Sequence, residues 1–400
     1  MKTTPTADPT LQQNYRTALL LPGGGSRAAY QVGVLKAINE LGDFRGHNPF
    51  PILCGTSAGA INAVALASRA DDFDAACVWL EDLWLRLTND QVYRSDLPGL
   101  IHNAWRLLLS LFNAGIAVGR PVALLNNQPL KDMLRREIDF TRIHDHLHNG
   151  HLAAVCVTAM NYSIGQSVSF FQGGPGNAGW QRWRRMGVPT PLQLRHLVAS
   201  TAIPTIFPPQ RIGRHYYGDG ALRQLTPISP ALHLGANKIL IIAPSGHKRR
   251  YQRPPRPVQS PAFGHIIGHL LNSAFIDSLE TDIEMLEQIN ELLALDPDLA
   301  RRDTHRDLRP VDFLVISPSE DIDQLAEQHL KELPRGLRTF LRITGSGRDA
   351  SGGVNIASYL LFTQPFCKAL IELGYKDGMA QAKELLEFSG MNWQSRQATA

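Results

Sequence analysis

The sequence is poor in cysteine, and its few cysteines are isolated. The 400 residues include only Cys54, Cys77, Cys156 and Cys367, none of them in a C-x-x-C pair. A disulfide framework needs closely patterned cysteines in an oxidising environment. The pattern therefore argues against such a framework and predicts a protein of a reducing compartment.

Long apolar runs are also missing, and the start of the sequence predicts no leader sequence. No stretch approaches the roughly 18 uninterrupted apolar residues of a membrane-spanning helix. The N-terminal sequence MKTTPTADPTLQQNYR lacks the apolar segment of a secretory signal peptide. We therefore expect a cytoplasmic protein whose membrane contact is peripheral, on the inner face.

Charge is modest and carries no basic stripe. Charged residues make up 19% of the chain, and the formal net charge is +4. This balance disfavours a nucleic-acid partner but suits an anionic substrate or an anionic membrane surface. With 44% hydrophobic residues, the chain can bury a large core.

What is present begins with a repeated strand–turn–helix pattern. An apolar run at 17–21 precedes glycines, and a helical pattern follows at 26–41. A second short strand at 50–53 is followed by a small-residue helix at 57–70. This alternation predicts a parallel sheet with helices on its faces.

The chain divides into four predicted parts. These are a flexible N-terminal tail at 1–15, a main domain at 16–245, a Pro/Arg-rich loop at 246–262, and a mainly helical part at 263–400 packed on the main domain. Later strands are predicted at 152–158, 167–172, 239–243 and 311–316.

The glycine-rich turn, GGGSRA at 23–28, formally matches a dinucleotide-binding turn. That interpretation needs an acidic residue after the next strand to hold a ribose. Here the next strand is followed by Cys54-Gly55-Thr56-Ser57, without a carboxylate, and the Gly-Lys-Ser/Thr of a phosphate-binding loop is absent. The turn is therefore better suited to a negative group other than the phosphates of a nucleotide.

The segment GTSAG at 55–59 supplies the source of such a group. It fits the G-x-S-x-G nucleophile elbow and lies between a predicted strand and helix. There Ser57 would project from a sharp turn at a helix N-terminus. The alternative is an ordinary serine cap. Downstream, Asp219 lies between two glycines. This pattern indicates either a plain turn or a site where the glycines let the backbone bring the carboxylate close to another group.

Together, GGGSR at 23–27, GTSAG at 55–59 and DGA at 219–221 resemble the patatin-like phospholipase family in order and spacing. The segment ASTAIP at 199–204 is similar to the family's segment before its aspartate. The resemblance covers about 16–245. It implies a three-layer α/β/α fold with a mostly parallel central sheet and a helical C-terminal elaboration.

The resemblance also implies a mechanism. Ser57 would attack an acyl ester of a phospholipid or lysophospholipid, and Asp219 would take its proton directly, without metal or cofactor. Arg27 would hold a head group or brace the loop. The chain departs from the family at Ala28, where glycine is usual. The oxyanion donors would be the N–H groups of Gly23, Gly24, Gly25 and Ser26.

Two alternatives remain open. A catalytically silent lipid-binding scaffold is disfavoured by the intact motifs. A Ser-His-Asp esterase of non-lipid esters would need a histidine after Asp219. The candidates are His233, His247, His265 and His269.

Weaker features each have two interpretations. The histidines at 144–151 suit a solvated loop or a metal site. The apolar run at 107–117 suits a buried helix or a flap that reaches lipid. The basic clusters at 248–256 and 182–185 suit solvated loops or docking on anionic phospholipid. The oligomeric state is open.

Overall fold

A computed structural model describes residues 16–42, 44–112, 121–174, 176, 178–245, 278–296, 298, 308–343 and 351–389. The predicted tail, the Pro/Arg-rich loop with its basic cluster, the first part of the predicted long helix, residues 113–117 and the candidates His247, His265 and His269 lie outside these ranges. Within the ranges, every helix is too short or too polar to span a bilayer.

One mixed sheet forms the centre of the described structure. Its strands are β1 (Thr17–Leu21), β2 (Ile52–Thr56), β3 (Ala154–Asn161), β4 (Gln166–Gly173), β5 (Trp180–Gln181), β6 (Arg185–Pro189), β7 (Gln210–Ile212), β8 (His215–Asp219), β9 (Lys238–Ile242) and β10 (Asp312–Ile316). The order is β10-β9-β1-β2-β3-β4-β6-β5, with β8 paired to β3 and β7 to β8. All neighbours from β10 to β3 are parallel.

Helices cover both faces of this sheet. They are α1 (Ala29–Leu41), α2 (Ala58–Ala67), α3 (Phe73–Arg86), α4 (Asn89–Val92), α5 (Leu97–Phe112), α6 (Gln128–Glu137), α7 (Thr141–His148), α8 (Leu194–Ser200), α9 (Ser229–His233), α10 (Ser278–Leu295), α11 (Ile322–His329), α12 (Arg335–Ile343), α13 (Ser351–Leu360), α14 (Gln364–Ala380) and α15 (Ala382–Ser389). Short 3-10 helices occur at Gly25–Ala28, Gly220–Arg223 and Leu330–Glu332.

Two apolar layers lie on opposite faces of the sheet. Side chains alternate along β1, so Leu19 and Leu21 join one layer while Leu20 joins the other. The larger layer contains α1, α2, α3, α13 and α14, and the smaller contains α9 and α10. The three-layer α/β/α fold with a mostly parallel central sheet and a helical C-terminal region is confirmed.

The C-terminal helices pack directly on α1. The Tyr30 hydroxyl donates a 3.0 Å hydrogen bond to Asp377 Oδ2 on α14. The same carboxylate accepts the Ser319 N–H at 2.8 Å. A buried carboxylate with these donors fixes α14 against the first helix of the chain.

Two local predictions need correction. The histidines from His144 to His148 lie on α7 and not on a loop. An alternating pattern on a helix points its side chains in different directions, so His146 is buried while His144 and His148 are exposed. The predicted helix at 26–41 begins as a 3-10 turn, and α1 starts at Ala29.

Candidate active site

Ser57 lies at a strained turn between β2 and α2. Its φ of 54° and ψ of −128° place a non-glycine residue in a rarely populated region. The turn is possible because α2 lies very close to β1. A Cβ at Gly59 would be 2.0 Å from the carbonyl oxygen of Leu21. This close approach explains why the final glycine of the GTSAG segment accepts no side chain.

Hydrogen bonds hold Ser57 in this conformation. Its N–H donates to Ser200 Oγ at 2.8 Å, and Ser200 Oγ donates to the Thr158 carbonyl oxygen at 2.6 Å. Its own Oγ donates to Asp219 Oδ2 at 2.6 Å. The structure thus brings together the two side chains that the sequence analysis paired. Ser200 was not predicted to take part, although it lies in the ASTAIP segment.

Asp219 ends β8 and is completely buried. Its Oδ1 accepts the Ala221 N–H at 3.0 Å. Burial raises the pKa of Asp219 to about 7, although the hydrogen bonds from Ser57 and Ala221 act in the opposite direction. A carboxylate with this pKa can accept a proton near neutral pH and release it again.

The glycine-rich turn lies beside Ser57. Gly25 has a φ of 57°, and a Cβ there would lie 2.2 Å from the Tyr359 carbonyl oxygen. Gly23 and Gly24 connect β1 to the 3-10 helix that Gly25 begins. Because they begin a helix, the N–H groups of Gly25 and Ser26 have no backbone partner in the described structure. They are available to a negative group.

Ala28 fits this turn without strain. Its φ of −66° and ψ of −10° are right-handed helical values, which alanine adopts readily. The departure from the family's usual glycine therefore leaves the backbone of the turn unstrained.

Arg27 braces the turn from behind. Its Nη2 donates to Asp323 Oδ1 at 2.7 Å, and Nη2 and Nε donate to Ser358 Oγ at 2.6 Å and 3.0 Å. The guanidinium also lies 4.1 Å from the centre of the Tyr359 ring. Ser26 Oγ adds a 2.7 Å bond to the Ser358 carbonyl oxygen. These contacts favour the bracing role over the head-group role.

A buried polar network supports the start of the turn. Gln31 Nε2 donates to the carbonyl oxygens of Pro22 and Ile242, at 2.9 Å and 3.2 Å. Asn62 Nδ2 donates to Gln31 Oε1 at 2.9 Å, and Trp84 Nε1 donates to Asn62 Oδ1 at 2.8 Å. Each side chain is satisfied by the next, which makes such a network rigid. These residues belong to no sequence motif, so they could not be predicted from local patterns.

An apolar pocket opens beside Ser57 and Gly25. It spans about 550 Å³, part of which is open to solvent. Because the walls are largely aliphatic and aromatic, the pocket suits an apolar group attached to a carbonyl at Ser57. Its walls include Ile61, Leu83, Trp84, Leu130, Met133 and Phe207.

No histidine in the described ranges hydrogen-bonds to Ser57 or Asp219. The His196 ring packs at a tilt against Phe170, with ring centres 4.7 Å apart, and its Nδ1 accepts the Gln193 N–H. The candidate His233 stacks on Trp180 at 4.7 Å. The described histidines of α7 also form no group of three potential metal ligands.

Comparisons with known proteins identify the family of the chain. The family profile of the patatin-like phospholipases matches residues 19–232, just over half of the chain. A protein of Pseudomonas aeruginosa named cGAMP-activated phospholipase is 28% identical over 215 residues, which are 54% of this chain and 55% of that protein. The chain therefore spans about half the length of this relative.

Two solved structures overlap the chain loosely. VipD from Legionella pneumophila has a TM-score of 0.35 and 14% identity, and the overlap covers 92% of this chain and 67% of the VipD chain. The type III effector protein ExoU has a TM-score of 0.26 and 15% identity, and the overlap covers 96% of this chain and 90% of the ExoU chain. TM-scores this low support no argument about the site.

Proposed function

Because this chain belongs to the patatin-like phospholipase family, we propose that it is a serine acyl hydrolase of lipids in which Ser57 and Asp219 form a catalytic dyad. The 2.6 Å hydrogen bond between Ser57 Oγ and the buried Asp219 carboxylate, beside an apolar pocket, carries the proposal. No histidine intervenes between the two side chains within the described residues.

The dyad would work in two steps. Asp219 Oδ2 accepts the hydroxyl proton as Ser57 Oγ attacks the ester carbonyl, and the tetrahedral intermediate then expels the alcohol, which takes the proton from Asp219. Asp219 next accepts a proton from water as the water attacks the acyl-serine, and it returns that proton to Ser57 Oγ as the fatty acid leaves. A pKa of about 7 matches Asp219 to both directions of proton transfer.

The glycine-rich turn would stabilise the negative charge of each intermediate. The N–H groups of Gly25 and Ser26 are the clearest donors, because they have no backbone partner among the described residues. Gly23 and Gly24 shape the approach to them. Loss of one such donor typically lowers the rate about 10² to 10³-fold. Arg27 then acts by holding the turn and not by touching substrate.

Phospholipids or lysophospholipids are the proposed substrates. The pocket takes the acyl chain, and the family and the name of the Pseudomonas relative both indicate a phospholipase. We also propose that residues 16–245 form the catalytic domain and that the helices of 263–400 support it.

Covalent labelling tests the dyad proposal. A fluorophosphonate probe should label the intact protein, and Ser57→Ala should abolish labelling and hydrolysis of phosphatidylcholine and lysophosphatidylcholine. Ser163→Ala, in an exposed turn, is the matched control and should keep both. Labelling that survives Ser57→Ala would overturn the proposal. An unlabelled protein that still binds these lipids would support the silent scaffold, and hydrolysis of p-nitrophenyl acetate alone would support a non-lipid esterase.

Helix α5 is the proposed site of peripheral membrane contact. Its apolar side chains recur at helical spacing, with Leu97, Ile101, Trp105 and Leu108 exposed by 37% to 59%. The helix begins five residues after Val92, a wall residue of the apolar pocket. Ile101→Ser with Trp105→Ser should reduce co-sedimentation with phosphatidylglycerol vesicles, whereas hydrolysis of a water-dissolved ester should not change. Unchanged sedimentation would contradict the assignment.

A further inference from the structure

A second pocket lies on the opposite face of the sheet from the apolar pocket. It spans about 390 Å³, part of which is open to solvent. Ser169 of β4 lines it, and by strand alternation this side chain shares its face with Phe171, a member of the smaller apolar layer. The walls of the apolar pocket belong instead to the larger layer. Its polar lining consists mainly of Ser167, Ser169, Arg184, Arg185, Arg223 and Gln224.

The arginines of this pocket are incompletely satisfied. Arg185 Nε and Arg223 Nε are buried, and neither has a hydrogen-bond partner in the described structure. Buried charged donors without partners are costly, so such atoms indicate a missing acceptor. Burial also lowers the pKa of Arg185, and the charge of Arg182 adds to this effect. An anion in the pocket would relieve both.

An acidic side chain lies close to one of these arginines. Asp282 on α10 lies near enough to Arg185 for their charges to interact. Its Oδ2 already accepts the Ile228 N–H at 2.8 Å, and burial raises its pKa to about 6. No ion pair forms between Asp282 and Arg185 in the described residues, so the acid compensates the arginines only in part.

Neutral donors complete the pocket. Ser167 on β4 is in register with Arg185 on β6, so a hydroxyl and a guanidinium stand side by side on neighbouring strands. A guanidinium offers paired N–H donors that match a tetrahedral oxyanion, and serine hydroxyls satisfy its remaining oxygens. We propose that this pocket binds a phosphate group carried on an ester, with Arg185 and Arg223 as its charged donors.

The pocket is connected to both members of the Ser57–Asp219 pair. Arg223 ends the 3-10 helix that begins at Gly220, directly after Asp219. Gln224 Oε1 accepts the Thr56 hydroxyl at 2.6 Å, and Thr56 immediately precedes Ser57. A bound phosphate would therefore fix the turn that supplies the Ala221 N–H to Asp219. This coupling rests on the proposed function, whereas the binding itself does not.

Two sources could supply the phosphate ester. A free metabolite could enter the pocket, or a lipid head group could reach it from a membrane. Trp183 lies between Arg182 and Arg184 in the turn from β5 to β6 and is 88% exposed. Exposed tryptophan beside arginine is typical of a membrane interface, so both sources need to be tested.

The binding experiment uses the full chain carrying Ser57→Ala, which prevents turnover. Calorimetric titration with inorganic phosphate and glycerol 3-phosphate gives the free source, and flotation with phosphatidylglycerol vesicles gives the lipid source. Arg185→Gln and Arg223→Gln should each weaken binding by about ten-fold or more, as expected for a charged hydrogen bond. Arg214→Gln, an exposed arginine in the β7–β8 turn, should change nothing.

Each outcome has a defined meaning. If a free phosphate compound or the lipid vesicles bind in a way that depends on Arg185 and Arg223, the proposal is supported. The probe that shows this dependence identifies the source of the phosphate ester. The proposal is overturned if the Arg214 and Arg223 variants bind these probes equally well, or if neither the free phosphate compounds nor the vesicles bind. If either variant fails to fold by circular dichroism, Arg185→Lys or Arg223→Lys replaces it, and it should weaken binding because lysine keeps the charge but lacks the paired N–H donors.

The coupling is tested on chains with an intact Ser57. Glycerol 3-phosphate should change the rate of hydrolysis of a water-dissolved ester at least two-fold, and Arg223→Gln should remove this response. If glycerol 3-phosphate binds without changing the rate of hydrolysis, the coupling is overturned, but the proposal of a phosphate site still stands. A chain that hydrolyses no ester yet still binds phosphate through Arg185 would mean that the proposed function, and not the pocket, is wrong.

Discussion

The two halves of the candidate site are held by different parts of the chain. Ser57 is fixed by Ser200 and Asp219, both within the residues that match the family profile. The glycine-rich turn is fixed through Arg27 by Asp323 and Ser358, which lie beyond those residues. The elbow is therefore self-contained, whereas the turn depends on the C-terminal helices.

The largest expected effect concerns the self-contained half. Asp219→Asn keeps the shape of the side chain but removes its ability to accept a proton. We expect hydrolysis to fall on the order of 10³-fold, measured with a water-dissolved ester, while labelling at Ser57 slows in parallel. Near-normal hydrolysis by this variant would contradict the dyad and favour a different base.

The pH dependence sharpens the same test. Because burial raises the folded-state pKa of Asp219 to about 7, hydrolysis should rise with pH around a midpoint near 7. The folded state then holds this proton more tightly than the unfolded chain, so folding stability is lost as pH rises from about 4 to 7. Asp219→Asn should raise the melting temperature at pH 8 and much less at pH 5. Equal shifts at both pH values would contradict the raised pKa.

A middle-sized effect is expected in the dependent half. Arg27→Met removes a buried ion pair and leaves Asp323 uncompensated, which should cost about 3 kcal/mol of unfolding free energy. Because the turn loosens, the hydrolysis rate should also fall about ten-fold or more. Urea denaturation and steady-state kinetics measure the two effects.

Lys36→Met is the matched control for this change. Lys36 pairs with Glu81 on an exposed surface, and loss of such a pair typically costs less than about 1 kcal/mol. If both variants lose the same stability and keep full activity, the turn does not depend on the C-terminal helices.

The smallest effect is expected at Ala28. Its right-handed conformation requires no glycine, so Ala28→Gly should only add freedom to the unfolded chain. We expect a loss of about 0.5 to 1 kcal/mol of stability and an unchanged rate. A gain in either quantity would show that alanine strains the turn.

The same division explains what the sequence could predict. The elbow and the sheet strands follow from local patterns, because GTSAG needs its glycines at fixed contacts and the buried strands are short apolar runs. The α/β/α class was predictable for this reason. The pairing of Ser57 with Asp219 joins positions far apart in the sequence, and only the family resemblance predicted it.

The supports of the turn could not be predicted in this way. Asp323, Ser358 and Tyr359 belong to no motif, and their contacts with residues 25–27 join positions about three hundred residues apart. The short strands β5 and β6 were also missed. They contain few residues and only weak alternation, so the pocket lined by Arg185 emerged only when the strands were paired.

The contact between Gly25 and the Tyr359 carbonyl also orders events during synthesis. Chains fold from the N-terminus as they leave the ribosome, so β1, β2 and the Ser57 elbow emerge long before α13. Until Tyr359 arrives, the turn lacks the carbonyl oxygen that packs against Gly25. We therefore expect an incomplete chain to present Ser57 before the turn beside it is complete.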